Sequence, residues 1–145
     1  DAGGGVVTPE VAEALAAAIV EILEVSAFEL ADLVEPTEPP ADALGATLVF
    51  HGPPSGTMRM WIDVAEARAF TAAALGQDEP TPAALADAIR ELANMIAGHV
   101  LGRVWTDVCV ALDGAVLGAP DSGAAYPVQL AGEHGRIAVA LEVTP

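Results

Sequence analysis

The chain has no lysine at all, and that one absence removes several kinds of chemistry. Neither a Schiff base nor a lysine-dependent phosphate loop can be built from it. Its only strong cations are five arginines, Arg59, Arg68, Arg90, Arg103 and Arg136, set against 21 acidic residues for a formal charge of -16. Nucleic acid and anionic membrane both require clustered positive charge, so neither is expected as a partner. Cysteine is almost missing too: Cys109 stands alone, which rules out an internal disulfide, and its place in Val108-Cys109-Val110 reads as a small buried hydrophobe. No stretch reaches the roughly 18 to 20 uncharged apolar residues a bilayer span needs, because acids interrupt even the Ala-rich run Val11 to Leu23. The opening Asp1-Ala2-Gly3-Gly4-Gly5 lacks the basic and apolar regions of a secretory signal, so a cytoplasmic protein is expected. The three histidines, His51, His99 and His134, are far apart in sequence, and no metal site of the chain's own is expected.

What is present is ample core material, 53% hydrophobic residues in 145, the length of one ordinary domain. Residues 1–7 read as a flexible lead-in and residues 8–145 as a single domain. Thr8-Pro9-Glu10 is a helix start, and Val11, Leu15, Ala18 and Ile22 share one face of a helix running to about Val25, while Glu13, Ala17, Glu21 and Glu24 share the other. Pro36, Pro39 and Pro40 make the next stretch a connector. Gly45 to His51 and Thr57 to Ile62 alternate as strands around Gly52-Pro53-Pro54-Ser55-Gly56, which gives a hairpin with a five-residue turn. Asp63 is placed to cap a short helix, Val64 to Leu75, that Gly76 ends. A further helix starts at Thr81-Pro82 and runs to about Leu101 or Gly102. Three strand-like runs follow: Val108 to Leu112, Tyr126 to Leu130 and Arg136 to Val143. The order helix, hairpin, two helices, three strands defines an α+β fold, a largely antiparallel sheet with helices packed against it. The last run also offers itself as a sheet edge. Ala18 to Glu24 can be laid on Ala88 to Asn94, either as a trace of duplication or as the shared composition of Ala-rich amphipathic helices.

The helix from Thr81 carries the functional signal. Leu85, Ile89, Leu92, Ile96 and Val100 form the stripe that must pack on the sheet. Asp87, Glu91, Asn94 and Gly98 recur at spacings of four, three and four on the opposite side, so two carboxylates and a carboxamide point outward together. Gly98 and Gly102 leave the later turns nearly bare, where another protein's backbone can come close. Polar residues on the outer face of an amphipathic helix are ordinary solvated surface, and geometry alone does not separate the two readings.

The residue string does separate them. Asp87-Ala88-Ile89-Arg90-Glu91-Leu92-Ala93-Asn94-Met95-Ile96-Ala97-Gly98 resembles the signature helix of the CheX/CheC family of chemotaxis phosphatases, in which Asp or Ser, then Glu, then Asn precede a small-residue segment. The resemblance extends by element order from about Thr8 to Val143 and implies a CheC-like fold. The family pattern also has a proline downstream of the asparagine, at the position held here by Leu117, with Pro120 the nearest.

That resemblance implies hydrolysis of the aspartyl phosphate on a CheY-like response regulator in a chemotaxis-type pathway. Glu91 and Asn94 would be the catalytic residues, Asn94 orienting the attacking water and Glu91 pairing with the regulator's lysine. Asp87 and Gly98 would be partner-binding residues at the rim of the interface. The chain would need no cofactor of its own, since Mg²⁺ comes with the phosphorylated regulator. The family also implies a homodimer. Two other functions fit the same residues: a binding module that docks on a signalling partner without hydrolysis, and a structural component of a flagellar-switch-like assembly.

Overall fold

The computed structural model describes residues 8–121 and 123–144; residues 1–7, read above as a flexible lead-in, lie outside the described residues. The elements in chain order are α1 (Pro9–Ala27), β1 (Asp32–Val34), β2 (Leu44–His51), β3 (Ser55–Ile62), α2 (Val64–Leu75), α3 (Pro82–Val104), β4 (Ala111–Leu112), β5 (Val116–Gly118), β6 (Val128–Ala131) and β7 (Arg136–Thr144). All strands pair antiparallel in one seven-stranded sheet, ordered β1-β6-β7-β3-β2, with β4 and β5 both bonded to the outer side of β2. The α+β class with a largely antiparallel sheet is therefore confirmed.

Alternation along the strands decides which face of the sheet the helices cover. Ala46, Leu48 and Phe50 of β2 and Met58, Met60 and Ile62 of β3 are buried on the helical side, while Thr47, Val49 and His51 are exposed. They meet Leu15, Ile19, Ile22 and Leu23 of α1 and Ile89, Leu92, Ile96 and Val100 of α3 in one continuous core. Each such aliphatic side chain contributes about 1.5–3 kcal/mol relative to an exposed one, so the sheet and the two long helices hold each other in place. On the opposite face Trp61 packs edge-on against Tyr126, ring centroids 6.5 Å apart, under the loop that precedes β6. Buried Gln129 ties down the proline-rich connector by donating to the carbonyl of Thr37 at 2.7 Å.

Several sequence expectations need correcting. Arg136 to Val143 is an edge only in its second half: β7 lies between β6 and β3, but β6 pairs it only over Arg136–Val139, so Ala140 to Thr144 is paired on the β3 side alone among the described residues. Val108 to Leu112 is a strand only at Ala111–Leu112, and Cys109 is exposed rather than buried. The outer side of β2 is shared between two short ladders, so the chain leaving α3 turns through Thr106 to Val108 before it reaches the sheet. Two short strands escaped the sequence pattern, β1 after α1 and β5 within a stretch read as loop, both too brief to show periodicity. The hairpin loop is also tighter than expected, since β3 begins at Ser55. Asp63 does precede α2, yet its carboxylate makes no cap and accepts from the backbone N–H of Arg136 at 2.7 Å instead.

Candidate functional site

Helix α3 is fixed at its start by Thr81, whose hydroxyl accepts from the Ala84 N–H at 3.1 Å, and by Pro82 in the first turn. Ile89, Leu92, Ala93, Ile96, Ala97 and Val100 are fully buried along its inner face. With that stripe pinned, the orientation of the remaining side chains follows from helix geometry. Leu85 is half-buried, not buried, and packs against the margin of the core near the start of the helix.

Asp87, Glu91 and Gly98 are exposed on the outer side, as their spacing requires. Asp87 accepts a hydrogen bond from the Arg90 guanidinium at 2.9 Å, so part of the helix's negative charge is offset within the helix itself. Glu91 takes part in no ion pair among the described residues and is free to meet a partner's cation.

Asn94 departs from the fully solvent-facing position expected of it. It is half-buried, and its Oδ1 is shielded from solvent with no hydrogen-bond partner among the described residues. It precedes Glu91's direction by a sixth of a turn, which tilts the carboxamide toward the flank of the helix. A carbonyl left in that state costs on the order of 1–3 kcal/mol, and the side chain must turn to bring it to a partner's donor.

Gly98 sits inside the helix, where glycine is about 1 kcal/mol poorer than alanine, and Gly102 in its last turn. A Cβ at either position would meet nothing within 4 Å, so the chain's own packing does not call for glycine there. Bare backbone is thus presented outward on the turns that follow Asn94.

Two apolar grooves flank this line. One, of about 460 Å³, runs between α2 and α3, with Phe70, Ala74 and Leu75 facing Ala88 and Met95, and Asp87 and Glu91 along its lip. The other lies beside Gly98 and Gly102 and is walled by Val108, Val110 and Leu112. Neither groove was legible in the sequence, since each depends on which elements become neighbours. No group of three or more metal-ligating side chains occurs among the described residues, and His99 is exposed on α3. Leu117, which holds the family's proline position, pairs with Ala46 in the β5–β2 ladder, and the backbone of Pro120 packs close over Gly45.

Three helices packed on one face of a seven-stranded antiparallel sheet make a CheC-like fold. The chain belongs to the chemotaxis phosphatase CheX family, whose match covers residues 44–141. Among solved structures it is similar to CheX from Desulfovibrio desulfuricans, with 18% identity, a TM-score of 0.74, and coverage of 92% of this chain and 99% of that one. It is similar also to the Borrelia burgdorferi complex of CheX with CheY, BeF3 and Mg²⁺, with 11% identity, a TM-score of 0.68, and coverage of 92% and 97%. The middle domain of FliM from Vibrio alginolyticus shares the fold more distantly, with 13% identity, a TM-score of 0.59, and coverage of 93% and 90%. Comparison with curated proteins gives no match.

Proposed function

We propose that this protein hydrolyses the aspartyl phosphate of a CheY-like response regulator, with α3 as the inserted helix. The observation that supports this most is the composition of one line along α3: an exposed Glu91, a half-buried Asn94 whose carbonyl has no partner among the described residues, and glycine backbone beyond it, in a CheX-family chain. A phosphorylated receiver already holds Mg²⁺ and hydrolyses slowly, so its phosphatase has mainly to position water. Asn94 supplies an acceptor and a donor on one rigid group, which is what orienting a water for in-line attack requires. A carboxylate there would repel the phosphoryl oxygens. Glu91, one turn earlier, pairs with a lysine of the receiver and sets the register of the inserted helix. Asp87 and Gly98 complete the contact at its rim, and the grooves beside α3 receive apolar side chains of the same partner.

Mg²⁺ is carried in with the regulator, as part of the substrate, and the chain adds no cofactor of its own. The setting is cytoplasmic, where receiver domains are phosphorylated; no described helix is long and apolar enough to cross a membrane. A homodimer remains part of the reading, through the short outer strands β1, β4 and β5 or the half of β7 beyond Val139 that only β3 pairs. Light scattering should then give a mass near twice the 14.6 kDa of the chain.

The likeness to the FliM middle domain favours a second reading, a structural role in a switch-like assembly. The two separate in one assay. Regulators of the same organism are phosphorylated with a small phosphodonor in the presence of Mg²⁺, and phosphate release is followed with and without this protein. Faster release from at least one regulator supports hydrolysis; stable binding without release from all of them supports the docking or structural role.

A further inference from the structure

Away from α3, the molecule buries two carboxyl groups against each other. Glu66, in the first turn of α2, is 0% exposed, and Glu29, just past the end of α1, is 4% exposed. Their carboxyl oxygens converge beside Gly132, where an added Cβ would press on Glu29 Oε1 and Glu66 Oε1 alike. One oxygen of each, Glu29 Oε1 and Glu66 Oε2, is fully buried and has no hydrogen-bond partner among the described residues. The other Glu66 oxygen accepts from the backbone N–H of His134, at 3.0 Å, in the turn between β6 and β7. Glu133 of the same turn accepts weakly from the Leu30 N–H and adds a further negative charge nearby. Gly132 lies directly against both carboxyls, with no room for a side chain.

Among the described residues no ion pair reaches this cluster. Arg136, which follows the same turn, is committed elsewhere, donating from Nη1 to the Glu35 carbonyl at 2.7 Å and to Gln129 at 3.2 Å, while its backbone N–H is taken by Asp63. The groups acting on Glu66 are therefore Glu29 after α1 and, from the β6–β7 turn, Glu133 and the His134 amide.

Two ionised carboxylates cannot occupy such a site at tolerable cost. A single proton answers both vacancies, because a protonated carboxyl donates to its neighbour. We propose that Glu29 and Glu66 share one proton and so form a pH-sensitive clasp joining the end of α1, the first turn of α2 and the β6–β7 turn. Burial, then the hydrogen bond and charge of Glu29, push Glu66 from its ordinary value of 4.5 up to about 8. Between those values the folded chain holds a proton that the unfolded chain has released, so stability falls as pH rises through the window and is fully recovered only below its lower end.

Chemical unfolding of the whole chain between pH 6 and pH 9, with a chelator present, reads this directly. The wild-type unfolding constant should rise on the order of ten- to a hundredfold across that range. Glu66→Gln, which keeps a donor facing Glu29, should flatten the rise and match or exceed the wild type at pH 9. Glu29→Gln should do the same from the other side. If a variant does not fold, a carboxyl-carbon NMR titration of the wild type serves instead, with one glutamate expected to titrate well above the usual carboxylate range. A wild-type profile that is level or climbs from pH 6 to 9, or a Glu66→Gln profile of unchanged slope, overturns the clasp. So does Mg²⁺ or Ca²⁺ raising wild-type stability in a Glu66-dependent way, which would make the pair a cation site.

Discussion

Helices α1 and α3 lie side by side beneath the same sheet, and over seven residues they share most of their buried positions, Ala18 being buried where Ala88 is half-buried. Ile19, Ile22 and Leu23 of α1 are buried where Ile89, Leu92 and Ala93 of α3 are, and Glu21 is exposed as Glu91 is. The difference lies outward and just beyond. Where α3 has half-buried Asn94, α1 has exposed Glu24; where α3 runs on through bare Gly98, α1 has already ended at Phe28, a left-handed cap that stands 85% exposed. Packing therefore makes two equivalent scaffolds, and only one carries a carboxamide followed by open backbone. Whether the likeness comes from duplication or from shared composition, the inward residues set the pose and the outward ones set the chemistry.

Making α3 like α1 should do the most damage. Asn94→Glu places a second carboxylate against the phosphoryl oxygens, and the maximal rate of phosphate release should fall by about a hundredfold to a thousandfold. Circular dichroism of the variant checks that the fold survives. Glu91→Ala comes next: it removes a charge pair across the interface that also sets register, and should weaken regulator binding by about 1–3 kcal/mol, measured by calorimetry, besides slowing turnover.

Gly98→Ala sharpens the contrast from the other side, because its two effects have opposite signs. Stability should rise by about 0.5–1 kcal/mol in chemical unfolding, since the added Cβ meets nothing, while regulator binding weakens by roughly a few-fold. A site in which glycine were a mere accident would show the gain without the loss. Glu24→Ala, on α1, should do least: phosphate release unchanged within about twofold, and stability within about 0.5 kcal/mol, as for an exposed side chain in no ion pair.

Much of this frame was legible in the sequence. The Thr-Pro starts at Thr8 and Thr81, the Gly76 stop and the alternation of Met58, Met60 and Ile62 are local signals, and local signals place α1, α2, α3 and the β2–β3 hairpin. The outward line of α3 follows from period alone. What period cannot supply is the partner of each element. It hid the central place of β7, the edge strands β1 and β5, the exposure of Cys109, the grooves beside α3 and the meeting of Glu29 with Glu66, residues that belong to different elements and touch only once the sheet is assembled. The half-burial of Asn94 was lost for a related reason: a residue on the flank of a helix is covered or not according to its neighbours.

The most direct test of the central claim compares wild type with Asn94→Ala on the cognate regulator, phosphorylated and in Mg²⁺, with binding and phosphate release measured on the same samples. The side chain's carbonyl has no partner among the described residues, so its removal should not unfold the protein or loosen the complex. Binding within about threefold of wild type, with maximal release lowered by about tenfold to a thousandfold, is the predicted result. Release by Asn94→Ala at the wild-type rate would contradict the assignment of the attacking water to Asn94.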